Sequence, residues 1–177
     1  LATSQGSVDA MLVKYSSIGN HVWTRLFAGT GSQNGNNIAI DSQGNPVLAG
    51  QYQGVVDFGL GMQMSAGLSD IFVAKYSSTG AHLWSKHFGN TGVDRANGVA
   101  VDSAGNAIVV GYTAGQFDGQ TKVGGDTDAV IARIRPDGTI DWLRQFGTTG
   151  ADYLLAVTVD SVGNAFAALR SRVRSLL

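Results

Sequence analysis

The chain has no cysteine, only two prolines and few charged residues. Its 177 residues carry 12 Lys plus Arg against 13 Asp plus Glu, a net charge of −1. The missing cysteines exclude disulfides, thiolate metal ligands and a thiol nucleophile, although they do not identify the cellular compartment. The balanced charge provides no basic surface for nucleic acid or an anionic membrane, so neither partner is expected. No apolar run approaches the roughly 20 residues that a membrane-spanning helix needs, so membrane insertion is not expected either.

Glycine is abundant, with 25 residues, and one glycine-containing motif occurs three times. The motif is Asp-Ser-x-Gly-Asn, and its copies are Asp41–Asn45, Asp102–Asn106 and Asp160–Asn164. Successive copies begin about 60 residues apart, a period that indicates a repeat architecture. Each copy lies between two apolar runs, which predicts a hairpin turn. In such a turn the aspartate accepts hydrogen bonds from its own turn's amides, and Gly44, Gly105 and Gly163 require a positive φ.

Each period contains four predicted strands, designated types a to d. Type c begins with an acid and carries a base near its end, as in Asp-Ile-Phe-Val-Ala-Lys-Tyr at 70–76. Its apolar residues occupy both parities, which is typical of a strand buried on both faces. Type d carries a tryptophan (Trp23, Trp84 or Trp142), which we expect to pack one sheet on the next. The predicted strands are a at 37–41, 98–102 and 156–160; b at 46–50, 107–111 and 165–169; c at 9–15, 70–76 and 128–134; and d at 21–27, 82–88 and 140–146.

Four antiparallel strands per repeat predict an all-β fold, a β-propeller built from four-stranded blades. The chain then contains three blade equivalents: a half-blade at 9–28, blades at 37–88 and 98–146, and a half-blade at 156–169. Residues 170–177 form a tail without predicted structure. A stacked solenoid is the alternative architecture, but solenoid repeats are usually shorter, about 20–45 residues.

From Asp9 to Leu169 the chain resembles the bacterial β-propeller repeats known as SBBP repeats. The resemblance rests on the pattern Asp-x-Phe-Val-x-Lys-Tyr at 70–76, on Trp84, on Phe88-Gly89, and on the Asp-Ser-x-Gly-Asn turn with its following Gly-Tyr-Thr at 111–113. It implies a propeller in an exported or cell-surface bacterial protein, and it implies no catalytic residues. The chain departs from the pattern at Ile134, which replaces a tyrosine, and again beyond Asn164. It starts at Leu1 without a signal peptide, and we expect it to be a mature or excised segment.

The predicted loops point to one functional face. The a–b and c–d turns are short and uniform, whereas the d–a and b–c loops are long and variable. In an up-and-down blade both variable loop sets share one face, around the channel mouth, and functional residues concentrate on such loops. We therefore predict that this face binds a protein or glycan ligand. The candidate ligand-binding residues are Asp57, Asp94, Asp118, Asp152 and Gln33, with exposed loop aspartates that bind nothing as the alternative.

No cofactor is expected, and calcium stays a weak possibility. The repeated turn aspartates lack the Asp-x-Asp-x-Asp-Gly spacing of a calcium loop, and Gly124–Asp128 matches only one unit of a calcium-binding nonapeptide. The chain shows no nucleophile elbow and no phosphate-binding loop. These features favour a non-catalytic binding module; a metal-dependent hydrolase or lactonase with its site at the channel mouth is the alternative.

The order of the strands predicts how the propeller closes. The chain starts with a c–d pair and finishes with an a–b pair, and both would leave unpaired edges that invite association. We expect two copies to join head to tail as a two-fold homodimer with six blades, because closed symmetry is the usual end of such contacts. The alternatives are a three-bladed ring, a nine-bladed trimer and a segment of a longer propeller chain.

Overall fold

The computed structural model of the protein describes residues 7–117 and 119–172, and its regular structure consists of β-strands, with no helix in those ranges. The strands are β1 (Ala10–Tyr15), β2 (His21–Phe27), β3 (Gln33–Ile40), β4 (Pro46–Tyr52), β5 (Val55–Asp57), β6 (Met62–Met64), β7 (Asp70–Tyr76), β8 (His82–Phe88), β9 (Asp94–Val101), β10 (Ala107–Thr113), β11 (Asp128–Ile134), β12 (Ile140–Phe146), β13 (Asp152–Val159) and β14 (Ala165–Ser171).

Antiparallel pairing joins these strands into two four-stranded sheets and three hairpins. The first sheet has the order β3-β4-β7-β8 and the second β9-β10-β11-β12. An N-terminal hairpin (β1-β2), a C-terminal hairpin (β13-β14) and a small hairpin (β5-β6) complete the pairing. Both four-stranded sheets have the predicted a-b-c-d order. The described strands form no closed sheet, so the number of blades and the closure of a propeller stay predictions.

The type a strands begin four residues earlier than predicted, at Gln33, Asp94 and Asp152. Glycines precede each of them, which made these positions look like loop. In the structure their backbone amides are paired: Gln33, Asp94 and Asp152 donate to the carbonyl oxygens of Val8, Ser69 and Thr127 at 2.7, 2.9 and 2.9 Å. The strands extend because these residues also pair with the ends of the type b strands: Gln33 lies opposite Tyr52, Asp94 opposite Thr113 and Asp152 opposite Ser171. The small hairpin β5-β6 lies within the segment 51–69 that was predicted as loop, and β14 includes two residues of the predicted tail.

The type a strands also connect successive sheets. β3 contacts β9, and β9 contacts β13. Asn36 Nδ2 donates to the Ala96 carbonyl, and Asn97 Nδ2 donates to the Leu154 carbonyl, both at 2.8 Å. Because Asn36 and Asn97 occupy the same repeat position, each sheet is joined to the next by the same bond.

Tryptophans of type d strands complete these junctions. Trp23 Nε1 donates to the Ser78 carbonyl at 3.1 Å, and Trp84 Nε1 donates to the Pro136 carbonyl at 2.9 Å. Each acceptor lies in the c–d turn of the following sheet. The turn glycine packs on the indole: an added Cβ at Gly138, whose φ is +86°, would lie 2.8 Å from Trp84 Cγ. The tryptophans thus pack one sheet on the next, as predicted.

Candidate ligand-binding face

The repeated a–b turns are held by their own aspartates. Asp41 Oδ1 accepts hydrogen bonds from the amides of Gln43 and Asn45, both at 2.9 Å, and Oδ2 accepts from Asn45 Nδ2 at 3.0 Å. Lys75 Nζ lies 2.8 Å from Asp41 Oδ2, with both side chains buried. Burial alone would raise the pKa of Asp41, but Lys75 and the turn's donors outweigh it and lower the pKa to about 2. The turn is a fixed structural element.

The same arrangement recurs in the other two turns. Asp102 accepts from the amides of Ala104 and Asn106 at 2.9 Å and lies 3.4 Å from Arg133 Nη2. Asp160 makes the equivalent bonds within its turn, to the amides of Val162 and Asn164. The turn glycines have the predicted positive φ, at 78°, 83° and 91° for Gly44, Gly105 and Gly163.

Three predicted ligand-binding residues, Gln33, Asp94 and Asp152, are fully buried at the starts of the type a strands, each 0% exposed. Burial contradicts the exposure that the alternative reading assumed for Asp94 and Asp152, and it equally removes all three predicted side chains from the surface that a ligand could reach. They are buried because the strands extend to include them and their side chains turn back onto the preceding loops. Asp94 Oδ2 accepts from the Asn90 amide at 2.6 Å, and Oδ1 accepts from the Thr113 hydroxyl at 2.5 Å. Burial raises the pKa of Asp94 to about 6; bonds from Thr113 and Asn90 oppose this rise, and the Asp70 carboxylate adds to it.

Asp152 is paired with a second buried aspartate, Asp128, which is also 0% exposed. Asp152 Oδ2 accepts from the Thr148 amide at 2.5 Å, and Asp128 Oδ2 accepts from Gln145 Nε2 at 2.9 Å. An added Cβ at Gly147 would lie 2.8 Å from Asp152 Oδ2 and 2.9 Å from Asp128 Oδ1, so the two carboxylates converge over this glycine. These aspartates fix the long loops to the sheet. Among residues 7–117 and 119–172, no three His, Asp or Glu side chains are grouped in a way that could hold a metal ion.

Asp57 lies elsewhere, at the end of β5 next to the turn of the small hairpin. Its Oδ1 accepts from the amides of Gly59 and Gly61 at 2.6 and 3.0 Å. It lines a cleft of about 270 Å³ together with Arg25, Tyr76 and His82. Burial lowers the pKa of His82, an effect that the Asp57 carboxylate opposes. The structure therefore does not bring Asp57 together with Asp94 and Asp152, and Asp118 lies outside the described residues.

A larger cavity, of about 360 Å³, lies among the long loops and was missed by sequence reasoning. It is lined by Gly125 and Asp126 of the second b–c loop, Thr149–Ala151 of a d–a loop, Tyr153 and Arg172. The Tyr153 ring packs edge-on against Tyr112 at 4.9 Å between centroids, and the Arg170 guanidinium lies 6.0 Å from its centre. Tyr153 occupies the repeat position of Asn34 and Arg95, so a search for repeated features ignores it. Tyr112 and Tyr153 follow the repeated residues Gly111 and Asp152 in the sequence. This pair of tyrosines is the signal that could have indicated the surface.

The structure defines an all-β repeat protein made of antiparallel sheets joined by repeated contacts. Residues 83–118 match the family model described as SBBP, beta-propeller repeat. This match confirms the resemblance seen in the sequence. It begins in β8 of the first sheet and continues through β9 and β10 of the second, so it includes the d–a connection that leads from one sheet to the next.

Two known proteins are similar to this chain over more than half of its length. An uncharacterized WD repeat-containing protein of Acanthamoeba polyphaga mimivirus is 31% identical over 113 residues, which are 60% of this chain and 8% of that protein. The regulatory protein FlaEY of Caulobacter vibrioides is 28% identical over 166 residues, which are 88% of this chain and 17% of that protein. The chain thus spans less than a fifth of either relative. Within the described ranges, no helix has the length and apolar character needed to cross a membrane.

Proposed function

We propose that the chain is a non-catalytic β-propeller interaction module that binds a protein or glycan ligand through its long-loop face. The observation that carries this proposal is the cavity of about 360 Å³ that Tyr153, Asp126 and Arg172 line between two long loops. An aromatic ring beside charges of both signs suits a polar ligand that also offers an apolar face. The names of the two relatives, a WD repeat-containing protein and a regulatory protein, agree with a role in interaction.

The buried aspartates of this face support binding rather than catalysis. An enzyme needs unlike groups that converge on one substrate. Here Asp94 and Asp152 direct carboxylate oxygens to loop amides and hydroxyls of their own chain, which makes them supports for the loops. No observation on the described residues favours the hydrolase or lactonase alternative. From the family resemblance we also propose an exported or cell-surface location in a bacterium.

The ligand-binding proposal is tested with an array of microbial and plant oligosaccharides and, for protein ligands, with a photo-crosslinking amino acid placed at position 151 beside the cavity. We expect Tyr153→Ala and Arg172→Ala each to weaken binding at least tenfold, because both side chains line the cavity. Val162→Ala is the matched control, since Val162 is 79% exposed in the a–b turn of the C-terminal hairpin and lies outside the cavity. Equal binding by Tyr153→Ala, or neither array binding nor crosslinking, would contradict the proposal.

We propose in addition that the chain self-associates through its two terminal hairpins. Met11 and Tyr15 of β1 are 60% and 62% exposed, and Phe166 of β14 is 61% exposed. Large apolar side chains on open strand edges favour association. Light scattering at several concentrations tests this, and a monomer of 18.4 kDa at all of them would contradict it.

A further inference from the structure

The four-stranded sheets show what an a–b hairpin needs from the c–d hairpin beside it. In the first sheet the turn aspartate Asp41 pairs with Lys75 of β7 at 2.8 Å. In the second sheet Asp102 pairs with Arg133 of β11 at 3.4 Å. The acid always comes from the a–b turn, and the base always comes from the type c strand.

The c–d turn contributes a second set of contacts. Its second residue accepts a bond from the tryptophan of the preceding sheet, as in Trp23 to Ser78 and Trp84 to Pro136. Its amide, where the residue is Ser78, donates to Asn45 Oδ1 of the a–b turn at 2.9 Å. Its glycine lies against the same indole ring.

The C-terminal hairpin and the sheet before it carry the a–b and tryptophan groups of these contacts, without the c–d groups that meet them elsewhere. Asp160 holds its turn but has no basic partner within residues 7–117 and 119–172. Trp142 is half-buried, and its indole N–H donates to nothing in the described part of the chain. All seven residues of β14 are exposed, whereas the equivalent β10 is buried at six of seven positions.

The N-terminal hairpin carries the c–d groups of these contacts. Lys14 occupies the position of Lys75 and Arg133, and its Nζ donates a hydrogen bond to the Ser78 carbonyl. Gly19 occupies the position of Gly80 and Gly138, and an added Cβ there would meet nothing within 4 Å. Met11 is 60% exposed, while its equivalents Phe72 and Val130 are 0% and 1% exposed.

These two sets of groups match, and we propose that the C-terminal hairpin of one copy binds the N-terminal hairpin of a second copy. This inference rests on the proposed self-association and names its surfaces. β14 pairs antiparallel with the second copy's β1, so that Asp160 meets Lys14 and the Trp142 indole donates to the Ser17 carbonyl. A second copy is the proposed occupant because its N-terminal hairpin offers the positive charge of Lys14 to Asp160 and an open type c edge to β14, whereas closing one chain on itself would give a ring of three sheets, fewer than the usual four to eight.

The register follows from the complete sheets. Val47 lies opposite Lys75, and Ile108 lies opposite Arg133; the equivalent pair is Phe166 and Lys14. Likewise Gly50 lies opposite Phe72, and Gly111 lies opposite Val130; the equivalent pair is Leu169 and Met11. Leu169 replaces a glycine here, and the unbranched Met11 side chain is the adaptable partner that such a larger neighbour requires.

The absence of native cysteine permits a direct test. Chains carrying Met11→Cys and chains carrying Leu169→Cys are mixed and oxidised; opposed residues of antiparallel strands have Cα atoms about 4.5–5.5 Å apart, within the Cα range of a disulfide. We expect a covalent dimer containing one chain of each kind, with the disulfide joining the two introduced cysteines. The control mixes Met11→Cys with Val162→Cys, which the register keeps apart, and should give little mixed dimer.

A charge exchange provides a second test. Lys14→Asp and Asp160→Lys should each weaken self-association at least tenfold, and mixing the two variants should restore a heterodimer in which both pairs have opposite charges. A dimer that forms no Met11–Leu169 cross-link and shows no recovery on mixing would overturn this inference while leaving self-association in place. A monomer of every variant and of the unmodified chain would overturn both.

Discussion

β10 and β14 occupy the same position in the repeat, and their surroundings differ completely. Both follow an Asp-Ser-x-Gly-Asn turn, and both pair with a type a strand along their whole length. Yet β10 is almost entirely buried, while every residue of β14 is exposed. The difference arises from the neighbours: β10 is covered by β11 on its other edge, and β14 has no such neighbour in the described chain. A strand's own apolar pattern thus predicts its preference for burial, and its burial depends on the element beside it.

The largest expected contrast is between Phe72→Ala and Met11→Ala, at equivalent positions of β7 and β1. Phe72 is 0% exposed and stacks on Phe58 at 4.5 Å between ring centroids, so its loss should reduce the free energy of unfolding by about 3–5 kcal/mol. Met11→Ala should cost less than about 0.5 kcal/mol in the dilute monomer. Urea unfolding followed by tryptophan fluorescence measures both. Equal costs would show that β1 is already covered, and a Met11 cost that grows with protein concentration would identify a second copy as the cover.

The second contrast concerns pH and compares the unmodified protein with Asp94→Asn. The first repeat already carries a neutral residue, Gln33, at this position. The pKa of Asp94 is raised to about 6 from 3.8, so the folded protein binds more protons than the unfolded chain between these values. Its contribution to stability is therefore complete below about pH 4 and is lost as the pH rises through about 6. Relative to Asp94→Asn, the unmodified protein should lose about 2 kcal/mol across this range. Parallel pH profiles of the two proteins in urea unfolding would contradict the raised pKa.

The smallest contrast compares Gly138→Ala with Gly19→Ala. Both glycines have positive φ, at +86° and +82°. Both substitutions should therefore lower the free energy of unfolding by about 1 kcal/mol through backbone strain alone. Gly138 should cost about 1–2 kcal/mol more, because its new methyl group would overlap the Trp84 ring. Thermal unfolding of the two variants in dilute solution measures the difference. If Gly19→Ala also weakens self-association, the Gly19 turn lies against a tryptophan of another copy.

Much of the fold could be predicted because each turn and strand type occurs three times in the sequence. The turns at Gly44, Gly105 and Gly163 and the a-b-c-d strand order follow from local residue patterns. The starts of β3, β9 and β13 could not be predicted, since the carbonyls of Val8, Ser69 and Thr127 that pair with them come from distant parts of the chain. The burial of Asp94 has the same origin, because its partners Asn90 and Thr113 are brought together only by folding. The Tyr153 cavity was missed because Tyr153 differs from its counterparts Asn34 and Arg95, whereas the predictions rested on what the repeats share.

The phase of the family match has a consequence for how such chains lengthen. The matched unit, residues 83–118, begins in one sheet and finishes in the next, whereas the contacts that join sheets, such as Trp84 to Pro136 and Asn97 to Leu154, reach residues outside that unit. Because these contacts recur at equivalent repeat positions, insertion or deletion of a whole period of about 60 residues would change the number of sheets while each joint met an equivalent partner. Evolution can therefore vary the size of such an assembly by recombination without inventing any new contact, which is consistent with relatives many times longer than this chain.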